Sequence, residues 1–228
     1  MDFIWQSLAT SLTLIAALDV EVFRTVWTSL YTSGCAIVAA ALAGIPIGLL
    51  IGIGRFPGRR LAVTLLNTLM ALPTVVIGLV VYGFLSRQGP LGSWGLLFTP
   101  MAMIIGQTVL ATPIIANYTV AAIAGADSRI LPTAQTLGAG RLQGWLQLLI
   151  ETRFGVMAAV IAGFGRVIAE VGVAMMLGGN IRDYTRTMTT AIALETSKGE
   201  FAFGLALGII LMTVALVVNL ILNLLQQR

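Results

Sequence analysis

Five stretches of this chain, at about 24–54, 61–86, 98–124, 154–177 and 201–225, are each long and apolar enough to cross a bilayer. At 1.5 Å of rise per residue, roughly 20 apolar residues cover ~30 Å of hydrocarbon. Lipid offers a backbone no hydrogen-bond partners, so uninterrupted apolar spans of this length are helices. The expected fold class is therefore an all-α polytopic membrane protein of about five transmembrane helices. Composition agrees: 58% of the 228 residues are hydrophobic and 10% charged, too few polar groups to cover a core in water. Mean hydropathy is +0.98.

The formal charge of +4 would suggest nucleic acid in a soluble protein. No Lys/Arg run interleaved with aromatics supports that partner, and the bilayer is expected instead. The arginines read as loop anchors on the cytoplasmic side. Cys35 is the one cysteine, so no intrachain disulfide forms, and it is expected as a small packing residue. Histidine is absent, which excludes His-based metal sites, triads and proton relays. No metal site is expected.

Residues 1–23 precede the first span. Asp2 without a basic segment argues against a secretory leader. Trp5, Leu8, Leu12 and Ile15 share one helical face, with Gln6, Thr10 and Thr13 towards another. This predicts an amphipathic helix in the membrane interface, with a short sixth span as the alternative.

Five spans put the termini on opposite sides. One set of loops carries Arg55, Arg59, Arg60, Arg129, Arg141, Arg153 and Arg228 against Asp127 and Glu151. The other carries Arg24, Arg87, Arg182, Arg186 and Lys198 against Asp2, Asp19, Glu21, Asp183, Glu195 and Glu200. The basic side is expected in the cytoplasm, which leaves the N-terminus outside and the C-terminus inside. Within the spans, Gly44, Gly48 and Gly52 recur every four residues, and Gly204 and Gly208 repeat the spacing. Such stripes let helices approach closely in lipid. Pro46, Pro73 and Pro113 each give a kink candidate in the first three spans. Kinked, glycine-striped helices suit a bundle around a pathway and ordinary packing alike.

No GxxxxGK[ST] phosphate loop is present. "GIGRFPG" at 52–58 follows a membrane helix, so it reads as a loop ending a span. No carboxylate pair, Ser/Lys couple or Cys cluster offers enzymatic work, and the chain is not expected to be an enzyme.

"FGRVIAEVG" in the fourth span holds Arg166 and Glu170, four apart on one helix face. Ionisable residues at membrane depth are costly and mark either a pathway or a structural pair. The following loop, 180–200, sets Thr185, Thr187, Thr189 and Thr190 around Arg186, after Asn180. Hydroxyls and a guanidinium suit an oxyanion; they also suit an external helix with a wet face, which the residue types favour. In "LPTAQTLGAGRLQGWLQLLIETR", at 131–153, Pro132 suits the first position of a helix. Gly138–Ala139–Gly140 breaks that helix and "RLQGWLQLLIETR" resumes one. An ordered helix–turn–helix too small to bury itself implies a partner surface.

At this point the sequence resembles the permease subunits of type I ABC importers, which carry a cytoplasmic EAA-x3-G-x9-I-x-L-P motif. Aligning the glycine on Gly138 places the EAA on Pro132, Thr133 and Ala134, then "LGA" on Leu137, Gly138 and Ala139. The I-x-L-P falls on Leu148, Leu149, Ile150 and Glu151. Pro132 stands for the acidic residue, and Glu151 for the proline. "ALPTVVIGLVVYGFLSRQGPLG" at 71–92 is similar to molybdate and sulfate permeases, and "AEVGVAMMLGGNI" with "YTRTMTTAIALETSKGEF" to the tungstate-type branch.

The resemblance covers about 24–228, expected as one ABC permease domain, and implies a prokaryotic inner-membrane homodimer. It also implies two ATPase subunits below, holding ATP and magnesium, and an external oxyanion-binding protein above. This chain would bind no cofactor itself. Within the connecting stretch 128–153, the segment 131–141 would be the coupling helix, with Pro132, Thr133, Ala134, Leu137, Gly138, Ala139 and Arg141 meeting the ATPase. The gate would lie between Arg166 and Asn180, with Glu170, Thr185, Arg186 and Thr187. The expected cargo is tungstate, with molybdate or sulfate as alternatives. A secondary transporter would need ion-coupling residues and internal repeats, and a channel subunit a selectivity ring.

Overall fold

In a computed structural model, residues 2–17, 19–54 and 56–226 are described. They form eleven α-helices and no strand: α1 (Asp2–Ala16), α2 (Val20–Ile53), α3 (Arg59–Ala71), α4 (Thr74–Leu85), α5 (Pro100–Ala124), α6 (Ile130–Thr136), α7 (Arg141–Glu151), α8 (Arg153–Ile168), α9 (Gly172–Gly178), α10 (Met188–Lys198) and α11 (Phe201–Gln226). Three are long and apolar enough to cross a membrane alone, or up to five segments if each of two bent pairs counts as one span.

Two expected spans are broken. The stretch 61–86 divides into α3 and α4 because Leu72 is extended, with ψ 138°, and Pro73 follows with ψ 129°. A proline ring disfavours helical geometry in the residue before it and removes a donor. Pro46 and Pro113 remain inside α2 and α5. The stretch 154–177 divides into α8 and α9 around Glu170. A further bend of 70° separates α7 from α8.

The chain forms two compact units: residues 1–36, 73–107 and 165–228 in one, and 37–72 and 108–164 in the other. In the second unit the glycine stripe of α2 lies on α5. A Cβ on Gly48 would come within 2.5 Å of the Ala116 carbonyl oxygen and 2.6 Å of Thr119 Cβ. At Gly44 the nearest atom would be the Thr112 oxygen at 2.9 Å, and at Gly52 Ile123 Cβ at 3.0 Å. Only a residue without a side chain permits this approach. Leu66 of α3 packs beside Ala116 and Val120, and Leu148 of α7 beside Leu49 and Ile123.

In the first unit α4 packs on α9, and both α1 and α10 pack on α11. A Cβ on Gly106 would overlap Leu177 and Val173. Gly204 and Gly208 do not reproduce the α2 stripe, since a Cβ on Gly208 would meet nothing within 4 Å. The N-terminal helix packs through its small polar residues. The face that α1 turns inward carries Ser7 and Ser11, both buried, while Trp5 and Leu12 are 67% and 53% exposed. In lipid the apolar side chains need no burial, and the small pair gives the closer approach. Ser11 satisfies its hydroxyl on the Leu8 carbonyl at 2.8 Å.

Candidate functional site

The connection between α5 and α8 is built locally. Asp127 Oδ1 accepts the Arg129 backbone N–H at 2.9 Å, and the Arg129 guanidinium closes on the same carboxylate at 2.6 Å. The Arg129 side chain beside Asp127 holds that carboxyl below its ordinary range, and the same bond raises Arg129. Because the Asp127 value is depressed on folding, this turn is held at neutral pH. The hold fades only as the pH falls through the lowered carboxylate range.

α6 then starts at Ile130, two residues before the expected Pro132. Pro132 is tolerated there because the first four N–H groups of a helix lack intrahelical partners anyway. Gly138 ends the turn with φ +86°, a left-handed conformation that an L side chain adopts only under strain. The Gly140 N–H is taken by Gln143 Oε1 at 2.8 Å, which starts α7.

α6 stands as a ridge between two concavities. One, of about 1000 Å³, is lined by Thr133, Ala134, Leu137, Gly138 and Gln143. The other, of about 740 Å³, is lined by Leu131, Pro132 and Gln135 together with Arg59 and Ile123. Ile130, Leu131, Trp145 and Leu149 anchor the hairpin on Leu49, Ile123 and Leu148. At its tip Leu137 is 83% exposed, and Pro132, Thr133, Gly138 and Arg141 are exposed too. Ala134 and Ala139 are half-buried. A well-anchored hairpin thus presents a bare leucine to its surroundings.

The second group of candidates lies in the other unit. Arg166 Nη1 and Glu170 Oε2 pair at 2.7 Å, with Arg166 partly exposed and the Glu170 side chain 2% exposed. Glu170 Oε1 accepts the Val173 N–H at 3.1 Å, so the buried carboxylate caps α9 at its electropositive end. Its backbone carbonyl receives the Thr189 hydroxyl at 2.8 Å. At the other end of α9, Thr185 donates to the Gly178 carbonyl. Asn180 Oδ1 accepts the Thr190 hydroxyl at 2.9 Å. Asn180 and Asp183 both hold positive φ, 51° and 61°.

The expected wet face is therefore not formed. Thr185, Thr187, Thr189 and Thr190 are buried, their hydroxyls bound to the protein itself. Thr187 caps α10 by accepting the Thr190 N–H at 3.3 Å. Arg186 is also buried. Its guanidinium meets Glu21 at 2.9 Å and Glu195 at 3.5 Å, while Arg182 adds to Glu21 and Lys198 to Glu195. Arg186 Nε is buried without a hydrogen-bond partner among the described residues. A guanidinium already shared by two carboxylates is a poor oxyanion ligand and a strong tie. Sequence reading did not find Glu21 or Glu195. Nothing at a separation of 165 residues announces a pair.

The sequence profile described as "Binding-protein-dependent transport system inner membrane component" matches residues 44–228. The tungstate uptake system permease protein TupB of Peptoclostridium acidaminophilum is 38% identical over 93% of this chain and 93% of its own. The molybdenum transport system permease protein ModB of Escherichia coli strain K12 is 27% identical over 78% of this chain and 82% of its own. Among solved structures, the inward-facing MetNI methionine ABC transporter superposes with a TM-score of 0.75. It covers 90% of this chain and 94% of its own at 19% identity, a likeness of fold.

Proposed function

Because this chain belongs to the family of binding-protein-dependent transport system inner membrane components, we propose that it is the permease subunit of an ATP-driven importer of tungstate. It is a multi-pass inner-membrane protein and a transport subunit rather than an enzyme. The tungstate permease shares more residues with it, over more of the chain, than the molybdenum permease does. That difference favours tungstate as cargo.

The single observation that carries the coupling role is the α6–α7 hairpin, firmly anchored yet exposing Leu137 at its tip. Two copies of the chain form the pathway, and each sets this hairpin into a groove on one ATPase subunit. ATP and magnesium are held by those subunits, consistent with the lack of a phosphate loop here. The arginine-rich loops support an orientation with the hairpin and the C-terminus in the cytoplasm and the N-terminus outside. The external binding protein delivers the oxyanion on that outer side.

Movement of α6 reaches α8 through α7. α8 has 16 residues, a rod of ~24 Å that ends at the Glu170 break. Glu170, paired with Arg166 of α8, and Asn180 flank the two ends of α9, where a gate can bend. Thr185, Arg186 and Thr187 hold those bends instead of offering ligands.

Leu137→Asp tests the coupling role. Leu137 is almost bare, so the variant should insert and purify like wild type, yet recover at least ~10-fold less ATPase subunit on co-purification. An unchanged yield of the complex would remove Leu137 from the contact.

A further inference from the structure

The outward surface of α3 is divided in two. Successive helical residues turn by about 100°, which separates three sectors. Val63 and Leu66 face inward onto Ile51, Ala116 and Val120. Leu61, Leu65 and Leu69 form an exposed apolar ridge. Arg60, Thr64, Asn67 and Thr68 form a second exposed ridge, and it is polar.

Thr64 and Thr68 spend their hydroxyl protons on the carbonyls of Arg60 and Thr64, both at 2.9 Å. Asn117 of α5 donates through Nδ2 to Asn67 Oδ1 at 2.8 Å and to Met70 Sδ at 3.1 Å. A thioether only accepts, which sets the orientation of the Asn117 amide and, through it, that of Asn67. The Asn67 N–H groups are then left exposed, with no protein partner among the described residues. Asn67 lies eight residues past Arg59, and Asn117 seven residues before Ala124. α5 is long and apolar enough to cross a membrane, so Asn117, ~11 Å along it from Ala124, falls within a span that covers ~30 Å of hydrocarbon, and its bond holds Asn67 at the same level.

Amide donors facing lipid at that depth are costly. The adjoining ridge of Leu61, Leu65 and Leu69 is apolar, as a lipid-facing sector of this helix requires. We infer that the ridge of Arg60, Thr64, Asn67 and Thr68, with Asn117, lines a water-filled conduit by which a tetrahedral oxyanion dianion leaves towards the cytoplasm. This rests on the permease reading above. The Asn67 side-chain N–H groups replace hydration contacts of the anion, the Thr64 and Thr68 hydroxyl oxygens hold water beside it, and none of these carries a fixed countercharge that would trap the ion. Arg60, nearest the helix start, is the ridge's cation at the mouth.

The test uses the complete transporter, with its ATPase, carrying Cys35→Ser and one new cysteine at a time. A small charged methanethiosulfonate reagent is applied from the ATPase side, and uptake is then read in proteoliposomes. Thiols in apolar surroundings stay protonated and unreactive, whereas those in water ionise. Asn67→Cys and Thr68→Cys should label at least ~10-fold faster than Leu65→Cys, and labelling should abolish ATP-driven tungstate uptake. Labelling as slow as at Leu65→Cys would overturn the conduit, because the ridge would then be covered by lipid or by a second copy. Fast labelling with unchanged uptake would overturn it as well. If the unlabelled Cys35→Ser transporter takes up no tungstate or other oxyanion with ATP, the permease reading fails, and the conduit fails with it.

Discussion

Gly48→Val is expected to leave almost no folded protein, at least ~10-fold less than wild type as a monodisperse peak in mild detergent. The added Cβ would sit 2.5 Å from the Ala116 carbonyl oxygen, and ordinary van der Waals contact begins at 3.4 Å. Overpacking usually costs about 1–3 kcal/mol when neighbouring side chains can shift. Here the obstacle is backbone, so α2 must withdraw from α5. The Gly44 and Gly52 contacts belong to the same stripe and are lost together. The cost therefore exceeds the usual range, and three lost contacts along one helix pair can consume a total stability that is only ~5–15 kcal/mol. Gly208→Val is the control: the site is open and the yield should stay near wild type. Equal yields for the two variants would mean that α2 and α5 do not approach this closely.

Arg186→Ala is expected to lower the thermal midpoint of the assembled transporter more than Arg166→Ala does. Arg186 is buried between two carboxylates, Glu21 and Glu195. Removing one partner of a buried ion pair costs about 3–5 kcal/mol when the other is left uncompensated. Arg182 and Lys198 remain to offset part of this, so a loss of ~2–3 kcal/mol is expected. In Arg166→Ala the buried Glu170 loses its cation but still accepts the Val173 N–H at the electropositive end of α9, and the arginine removed is itself partly exposed, so a smaller loss is expected. Uptake per folded complex should be little changed in Arg186→Ala. A stable variant with uptake abolished would instead make Arg186 an oxyanion ligand.

The parts of the fold legible in the sequence were those set by local physics. Apolar length gave the helices, and the four-residue spacing of Gly44, Gly48 and Gly52 marked the close approach to α5. The Gly138 break gave the α6–α7 hairpin. Glu170 was visible as a charge at membrane depth, but not as the cap of a new helix. That role depends on the chain turning at Ala169, with Thr189 bonded to the Glu170 carbonyl. Thr187 and its neighbours were misjudged because hydroxyls serve a wet surface and a buried network equally well. Burial is a tertiary fact. The polar ridge of α3 was present in the spacing of Arg60, Thr64, Asn67 and Thr68. Reading 61–86 as one apolar span obscured it, and the break at Leu72 and Pro73 restores it as the face of a separate helix.

Uptake of tungstate into proteoliposomes holding the permease, its ATPase and its external oxyanion-binding protein tests the central claim most directly. Accumulation is predicted to require enclosed ATP and to persist when a proton ionophore collapses the gradient. Accumulation driven by a proton gradient without ATP would contradict it.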